Sequence, residues 1–525
     1  VTNSISDSQT FEIVTSPQSQ ALAFVESVGA DIPSDRSSLE AYKFMETYIL
    51  AVMYFSLGGP AWISPVNFLD PEYDACWWNS RLFFLNGEDV RGAFCYEEGG
   101  PVVAIRIVDH GAAGTIPSEL GKLTELDSID LRTNMYIEGQ IPSSFQDLTK
   151  LTYLALHFNQ LTGTFPSWIG NLSNLEVFAV SNNQISGNFP QGITQLSALQ
   201  ILAVDDNLMT GDFNRIDSLT KLRLLYLEDN GFTATVDSTL FTELVSLEQL
   251  DMSDNQLVGS VPAHFFSYQN LTILDLHGNR LGQSLPQSIS NNDVLGFLAL
   301  QSNLLTGLVP PSMSNLVALT HLDLSTNQFG GSMPEDLGRL INLKYLFLAD
   351  TQFDRGTIPS TYQDLVNIED ISLKDSGRNG MIPTWIGTLN KVWLLDLDSN
   401  ALTGPIPSEI GNMSSLRFLL LNRNELTGPI PAQLGSLSLL RLVLLENNTI
   451  SGSADVVCPA FVGGTNLVAD CAGPIPEVSC TCCALCCSDD ERCNDQDFFA
   501  QQDPIWEQSY NRAVYDFTID YNITR

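Results

Sequence analysis

Residues 416–440 read Leu-Arg-Phe-Leu-Leu-Leu-Asn-Arg-Asn-Glu-Leu-Thr-Gly-Pro-Ile-Pro-Ala-Gln-Leu-Gly-Ser-Leu-Ser-Leu-Leu, and this stretch decides the fold. The same grammar stands one period earlier, from Val392 to Leu416. An asparagine recurs at Asn159, Asn183, Asn207, Asn230, Asn255, Asn279, Asn303, Asn327, Asn400, Asn424 and Asn448. The spacings are 24, 24, 23, 25, 24, 24, 24, then 73 across two degenerate units, then 24 and 24. A fixed period of this size means a solenoid of stacked coils.

Each residue type has a job within a coil. Leu419 and Leu421 stand two apart, so both point to one side of a short strand, into the interior. The amide of Asn424 can donate to and accept from backbone groups that the turn would otherwise bury unpaired. Gly428 permits a tight backbone conformation, and Pro431 ends the second extended piece. Leu434, Leu437 and Leu440 close the core. One coil cannot bury its own leucines and needs neighbours on both sides.

The Leu-Thr-Gly-Pro-Ile-Pro of 402–407 and 426–431, followed by Glu-Ile-Gly-Asn or Gln-Leu-Gly-Ser, resembles the plant-type extracellular leucine-rich repeat. That family includes receptor-like kinases, receptor-like proteins and polygalacturonase inhibitors. The resemblance spans about residues 36–497, and the flanks look closer to the diatom (stramenopile) version than to land plants. It implies an α/β solenoid: a right-handed leucine-rich repeat superhelix of about 15 coils with disulfide-bonded caps at both ends. The expected organisation is an N-terminal segment with a short helix (1–35), a helical cap (36–101), repeats (102–453), a Cys-rich cap (454–497) and an aromatic tail (498–525).

The N-terminal cap of this family has a Trp, then a Cys-x-Trp, then a second Cys. Trp62, Cys76-Trp77-Trp78 and Cys95 match it. The resemblance therefore implies a Cys76–Cys95 disulfide, closing a loop of about 19 residues worth roughly 3 kcal/mol. A helix is expected from Ser16-Pro17 to about Ser27, and a second, mostly apolar one from about Ser38 to Phe55, suited to covering the first coil. After the repeats come Cys458, Cys471, Cys480, Cys482, Cys483, Cys486, Cys487 and Cys493. Eight cysteines allow about 105 pairings, and spacing alone does not choose. Cys483-x-x-Cys486 has a zinc-like spacing, but ten cysteines placed only outside the repeats fit disulfides in an oxidising compartment better. Sequons at Asn171, Asn270, Asn412, Asn447 and Asn522 agree with secretion, although two belong to the repeat consensus.

The chain carries 61 acidic and 24 basic residues, a net charge of −37. Such a surface repels nucleic acid and anionic membranes and attracts cations or basic proteins. Adaptation to a salty exterior is the plainer reading of the same numbers. No apolar run is long enough to span a bilayer. The sequence opens on Val1, so a leader or longer N-terminal region is expected ahead of it.

Residues at −7, −6, −4, −2 and −1 from each anchor should project from the concave sheet or its rim. Asp205, Asp206, Glu228, Asp229, Asp251, Asp254 and Asp275 then form a carboxylate cluster with Tyr226 among them. Further on, Tyr345, Phe347, Trp393 and Phe418 add aromatic area near Asp396. Solvated acid faces are common; the alternative is a strip for a basic or cation-bridged partner. Ca²⁺ is a candidate guest of the acidic face, but no loop has a defined calcium spacing and no resident cofactor is expected. Catalysis finds little support: the five histidines scatter over different coils, and no nucleophile elbow, phosphate loop or metal-ligand His pair appears.

The leading expectation is therefore a non-enzymatic extracellular or cell-surface module, a receptor-like or adhesion ectodomain binding a protein, peptide or glycan on its concave face. One alternative is a secreted wall or matrix component that self-associates through 515–523, where Tyr515, Phe517, Ile519, Tyr521 and Ile523 alternate onto one strand face. Packing of that strand onto its own C-terminal cap is the plainer account. Another alternative, inhibition of a secreted polysaccharide hydrolase, rests on the family resemblance.

Overall fold

The computed structural model describes residues 6, 13–28, 39–63, 67–72, 75–79, 91–97, 99–460, 466–473 and 476–488. The chain divides into two compact units, Val1–Val258 and Gly259–Arg525.

The first unit opens with two helices, α1 (Pro17–Ser27) and α2 (Leu39–Ser56). Ser16 caps α1, its Oγ accepting from the Ser19 N–H at 3.1 Å. Tyr48 to Met53 of α2 have no exposed area, so the helix is buried along one stretch on all sides. It is tied to the first coil by polar contacts. The Val102 N–H donates to the Glu46 carboxylate at 2.7 Å, and the Ala113 N–H donates to the Leu57 carbonyl at 3.0 Å. The same carbonyl accepts from the Trp62 indole at 2.7 Å. Cys76 and Cys95 form the expected disulfide.

Strand β1 (Gly92–Cys95) runs antiparallel to β2 (Val102–Arg106) and covers the edge of the first coil. Parallel strands then follow: β3 (Ser128–Asp130), β4 (Tyr153–Ala155), β5 (Val177–Ala179), β6 (Ile201–Ala203), β7 (Leu224–Tyr226) and β8 (Gln249–Asp251). Their central residues are in register: Ile105, Ile129, Leu154, Phe178, Leu202, Leu225 and Leu250. All seven have no exposed area and form the core side of the sheet.

The second unit repeats this plan. Its strands are β9 (Ile273–Asp275), β10 (Phe297–Ala299), β11 (His321–Asp323), β12 (Tyr345–Phe347), β13 (Asp370–Ser372), β14 (Leu394–Asp396), β15 (Phe418–Leu420) and β16 (Leu442–Leu444). With seven coils in the first unit and eight here, the repeats match the expected number. The sheet does not stop at the last repeat. β17 (Asn466–Ala469) pairs with β16, and β18 (Leu485–Cys486) pairs with β17. The cap is stapled by Cys458–Cys482, Cys471–Cys486 and Cys480–Cys483. Cys487 is disulfide-bonded too. Cys493 and the tail strand expected at 515–523 lie outside the described residues.

The anchor asparagines do what their chemistry predicts, and more. The Asn424 amide donates to Leu421 and Asn422 of its own coil at 3.1 Å each and to Leu397 of the preceding coil at 2.9 Å. Its oxygen accepts from the Leu402 N–H at 3.1 Å. One side chain thus closes its own turn and bolts two coils together. Thr351 and Ser376, which replace asparagine, make single bonds to Leu348 and Leu373. Beside Ser376, the buried Arg378 guanidinium takes over, donating to the carbonyls of Ser376, Thr357 and Asp354. The backs of the coils are five-residue 3₁₀ turns such as Ser408–Asn412 and Ala432–Ser436, each entered through a proline.

Candidate functional site

Apart from Asp275 on β9 of the second unit, the acidic cluster sits on the first unit, at the ends of β6, β7 and β8, and the backbone explains much of it. The residue before each anchor adopts a left-handed conformation: φ is 50° at Asp206, 43° at Asp229 and 46° at Asp254. Asn and Asp enter that region at lowest cost among residues with a side chain. The residue four before the anchor has a second local role. The Asp251 carboxylate accepts from the Ser253 N–H at 2.9 Å and its hydroxyl at 2.6 Å. Asp275 accepts from the His277 N–H, and Asp396 from the Asp398 N–H, at 3.1 Å each. These are Asx turns repeated from coil to coil.

Burial separates the expected site residues further. Asp229 and Asp254 are exposed, and Asp206, Glu228, Asp251, Tyr345 and Trp393 are half-buried. Asp205, Tyr226, Asp275, Phe347, Asp396 and Phe418 are buried, so they are not presented to solvent as alternation alone implies. Strands one ladder spacing apart shield their neighbours' side chains, and short polar groups fold back onto the backbone. The Asp205 carboxylate, for example, accepts from the Ser181 hydroxyl, and Tyr226 donates to Gln249.

Carboxylate oxygens of Asp205, Asp206 and Glu228 lie within 4.8 Å of one another. Burial pushes Asp205 up to about 7 and Asp206 up to about 6; the neighbouring Asp229 carboxyl adds to the shift at Asp206. Crowded carboxylates therefore hold protons near neutral pH. A Ca²⁺ ion wants six to eight oxygens, roughly twice what this trio offers with one oxygen each. The four described sequon asparagines, Asn171, Asn270, Asn412 and Asn447, are all exposed, while Asn522 lies outside the described residues. A separate open depression of about 500 Å³ lies where two coils lose their Ile-Pro, between Asp212, Asp217, Thr235 and Asp237.

The second unit carries the more distinctive surface. On the sheet face opposite the core, β10 to β15 line up Phe297, His321, Tyr345, Asp370, Leu394 and Phe418 in register. Ring centroids are 4.2 Å apart for Phe297 and His321, 5.2 Å for His321 and Tyr345, and 5.8 Å for Trp393 and Phe418. Asp370 breaks this row with a fully buried carboxylate, neither oxygen of which has a hydrogen-bond partner among the described residues. Burial, reinforced by Glu369 and opposed by Arg417, pushes it up to about 8. The Nε2 of buried His321, two strands away, also lacks a partner among the described residues, and burial pulls that ring down to about 3. Sequence reasoning found Tyr345, Trp393 and Phe418 but not Asp370, His321 or Phe297. Counting six back from Ser376 reaches Asp370; nothing in the sequence marks it as unpartnered.

Two profiles described as leucine rich repeat match residues 149–209 and 217–281, and residues 318–340, 391–413 and 415–437. The repeats of this chain are leucine-rich repeats. Over 158 residues the repeat protein is 30% identical to Receptor-like protein 39 of Arabidopsis thaliana. That stretch is 30% of this chain and 15% of the relative. Among solved structures it is similar to a plant peptide hormone receptor, RGFR1 in complex with RGF2, with a TM-score of 0.61 and 29% identity over 70% of this chain and 62% of that one. It is also similar to a TDR receptor, with a TM-score of 0.62 and 29% identity over 70% of this chain and 68% of that one. The leucine-rich repeat protein thus spans a small part of the curated relative and about two thirds of these receptor chains.

Proposed function

We propose that this protein is an extracellular, receptor-like recognition module that binds a peptide along the sheet face of its second unit opposite the core. The observation that carries the reading is Asp370. A buried carboxylate with no partner costs stability, and folds do not gain from one. Set in a row of rings and aliphatic groups, it suits a ligand that brings a basic or donor-rich side chain flanked by apolar ones. A desolvated charge pair of this kind supplies specificity, and the flanking rings supply contact area. The likeness to a plant peptide hormone receptor points to the same class of ligand. The acidic net charge would speed the approach of a basic peptide. Disulfide-stapled caps and exposed sequons support a place outside the cell or at its surface.

The test is a selection of random phage-displayed peptides on the full chain, with counter-screening on Asp370→Leu. Enriched peptides should carry Arg or Lys next to an aromatic or aliphatic residue and lose at least tenfold in affinity on the variant. Enriched peptides that bind both proteins equally, or a selection that enriches nothing, would overturn the reading.

A further inference from the structure

Three disulfides of the C-terminal cap stand in one line of sulfur. Cys480–Cys483 lies between Cys458–Cys482 and Cys471–Cys486. The Cys483 Sγ is within 4.8 Å of the Sγ atoms of both Cys471 and Cys486. On its other side, the Cys480 Sγ is within 4.8 Å of the Cys482 Sγ and of a carboxylate oxygen of Asp455. The middle bridge closes a separation of 3, against 24 and 15 for its neighbours, so it removes the least freedom from the opened chain. Cys480 and Cys483 are half-buried and Cys486 is exposed, which leaves the row within reach of a small molecule.

Asp455 gives the bridge a direction. Its Oδ1 accepts from the Thr481 N–H at 2.6 Å and from the Thr481 hydroxyl at 2.9 Å, and these bonds hold the carboxyl below the usual carboxylate range. A negative charge beside Cys480 disfavours a thiolate there, so Cys483 is the better leaving group. We propose that Cys480–Cys483 is the entry point for a small external monothiol of the glutathione class, and that it passes its opening on to Cys471–Cys486. The incoming thiolate attacks the Cys480 Sγ. A mixed disulfide forms there, and the Cys480–Cys483 bond breaks with its electron pair leaving on Cys483. The Cys483 thiolate attacks the Cys486 Sγ, the exposed sulfur of the next bridge. A Cys483–Cys486 disulfide forms, the Cys471–Cys486 bond breaks, and Cys471 leaves as a thiolate that takes up the proton the incoming thiol gave up. The number of disulfides is unchanged, so the thiol is the only co-reactant. The consequence is mechanical. Cys471 follows β17 and Cys486 lies in β18, and those strands share only the short pairing of Val468 with Leu485 and Ala469 with Cys486. Exchange cuts the covalent tie between them.

The test treats the full chain with excess reduced glutathione at neutral pH, quenches with acid, alkylates the remaining thiols and maps the peptides by mass spectrometry. No peptide ligand is involved, so the outcome is independent of the recognition reading. Glutathione should appear on Cys480 and the alkyl group on Cys471, with Cys483 joined to Cys486, Cys458–Cys482 intact and the circular dichroism of the repeats unchanged. Cys480→Ser/Cys483→Ser should slow alkylation of Cys471 roughly tenfold or more. Opening of Cys458–Cys482 first, alkylation of Cys471 at the same rate in the double variant, or no opening until the repeats unfold would each overturn the inference.

Discussion

Replacing Asp370 by Asn should stabilise the protein at neutral pH and leave it unchanged in acid. The folded carboxyl titrates at about 8 against an ordinary 3.8, because it is buried beside Glu369 with only Arg417 to oppose. A raised value means that the folded state holds the proton more tightly than the unfolded state does. The contribution to stability is therefore fully present below pH ~4 and is lost as pH rises towards 8. At pH 7 the group has lost about three pH units of that advantage, on the order of 4 kcal/mol at 1.36 kcal/mol per unit. Asn has the same shape, carries no charge and pays none of this. Urea unfolding followed by circular dichroism at pH 4, 5, 6, 7 and 8 reads the difference. The variant should gain about 3–4 kcal/mol over the wild type at pH 7 and close to nothing at pH 4. Parallel curves across the whole range would show that Asp370 has a partner or meets water, and would remove the physical basis for reading it as a ligand contact.

Asn424→Ala removes three donated bonds and one accepted bond from a buried turn, which at about 1 kcal/mol each should cost about 3–4 kcal/mol in the same urea assay. Among the cap disulfides, Cys458→Ser/Cys482→Ser opens a loop with a separation of 24 and should cost about 3 kcal/mol. Cys480→Ser/Cys483→Ser opens one with a separation of 3 and should cost far less; equal melting losses for the two pairs would refute the loop argument.

The fold was legible because one position repeats. An anchor asparagine every 24 residues or so and leucines two apart dictate where each strand must lie, and within each unit the central residues of the parallel strands are in the register that this spacing requires. The caps were legible in part: the family pattern gave Cys76 with Cys95, whereas pairing among the later cysteines depends on how β17 and β18 extend the sheet. The site was less legible, for two reasons. Alternation tells which way a side chain points, not whether its neighbours cover it, so Asp205, Phe347 and Phe418 read as presented residues although they are buried. Recurrent acids also read as a binding strip, when Asp206, Asp229 and Asp254 stand where the backbone turns left-handed. Asp370 went unseen for the opposite reason: its significance lies in having no hydrogen-bond partner among the described residues, and a sequence records residues, not their contacts.

The joint at Ser376 has a consequence for how damage spreads. At most other seams an anchor amide bonds to the coil before it, as Asn327 does to Leu300 and Asn424 to Leu397, so a lesion at one leaves the next intact. Here the seam hangs on one buried cation, Arg378, gripping carbonyls at 354, 357 and 376. Burial already works against its charge, and no shorter or neutral side chain spans the same three carbonyls. Redundancy fails at that point, in the same coil whose strand carries Asp370.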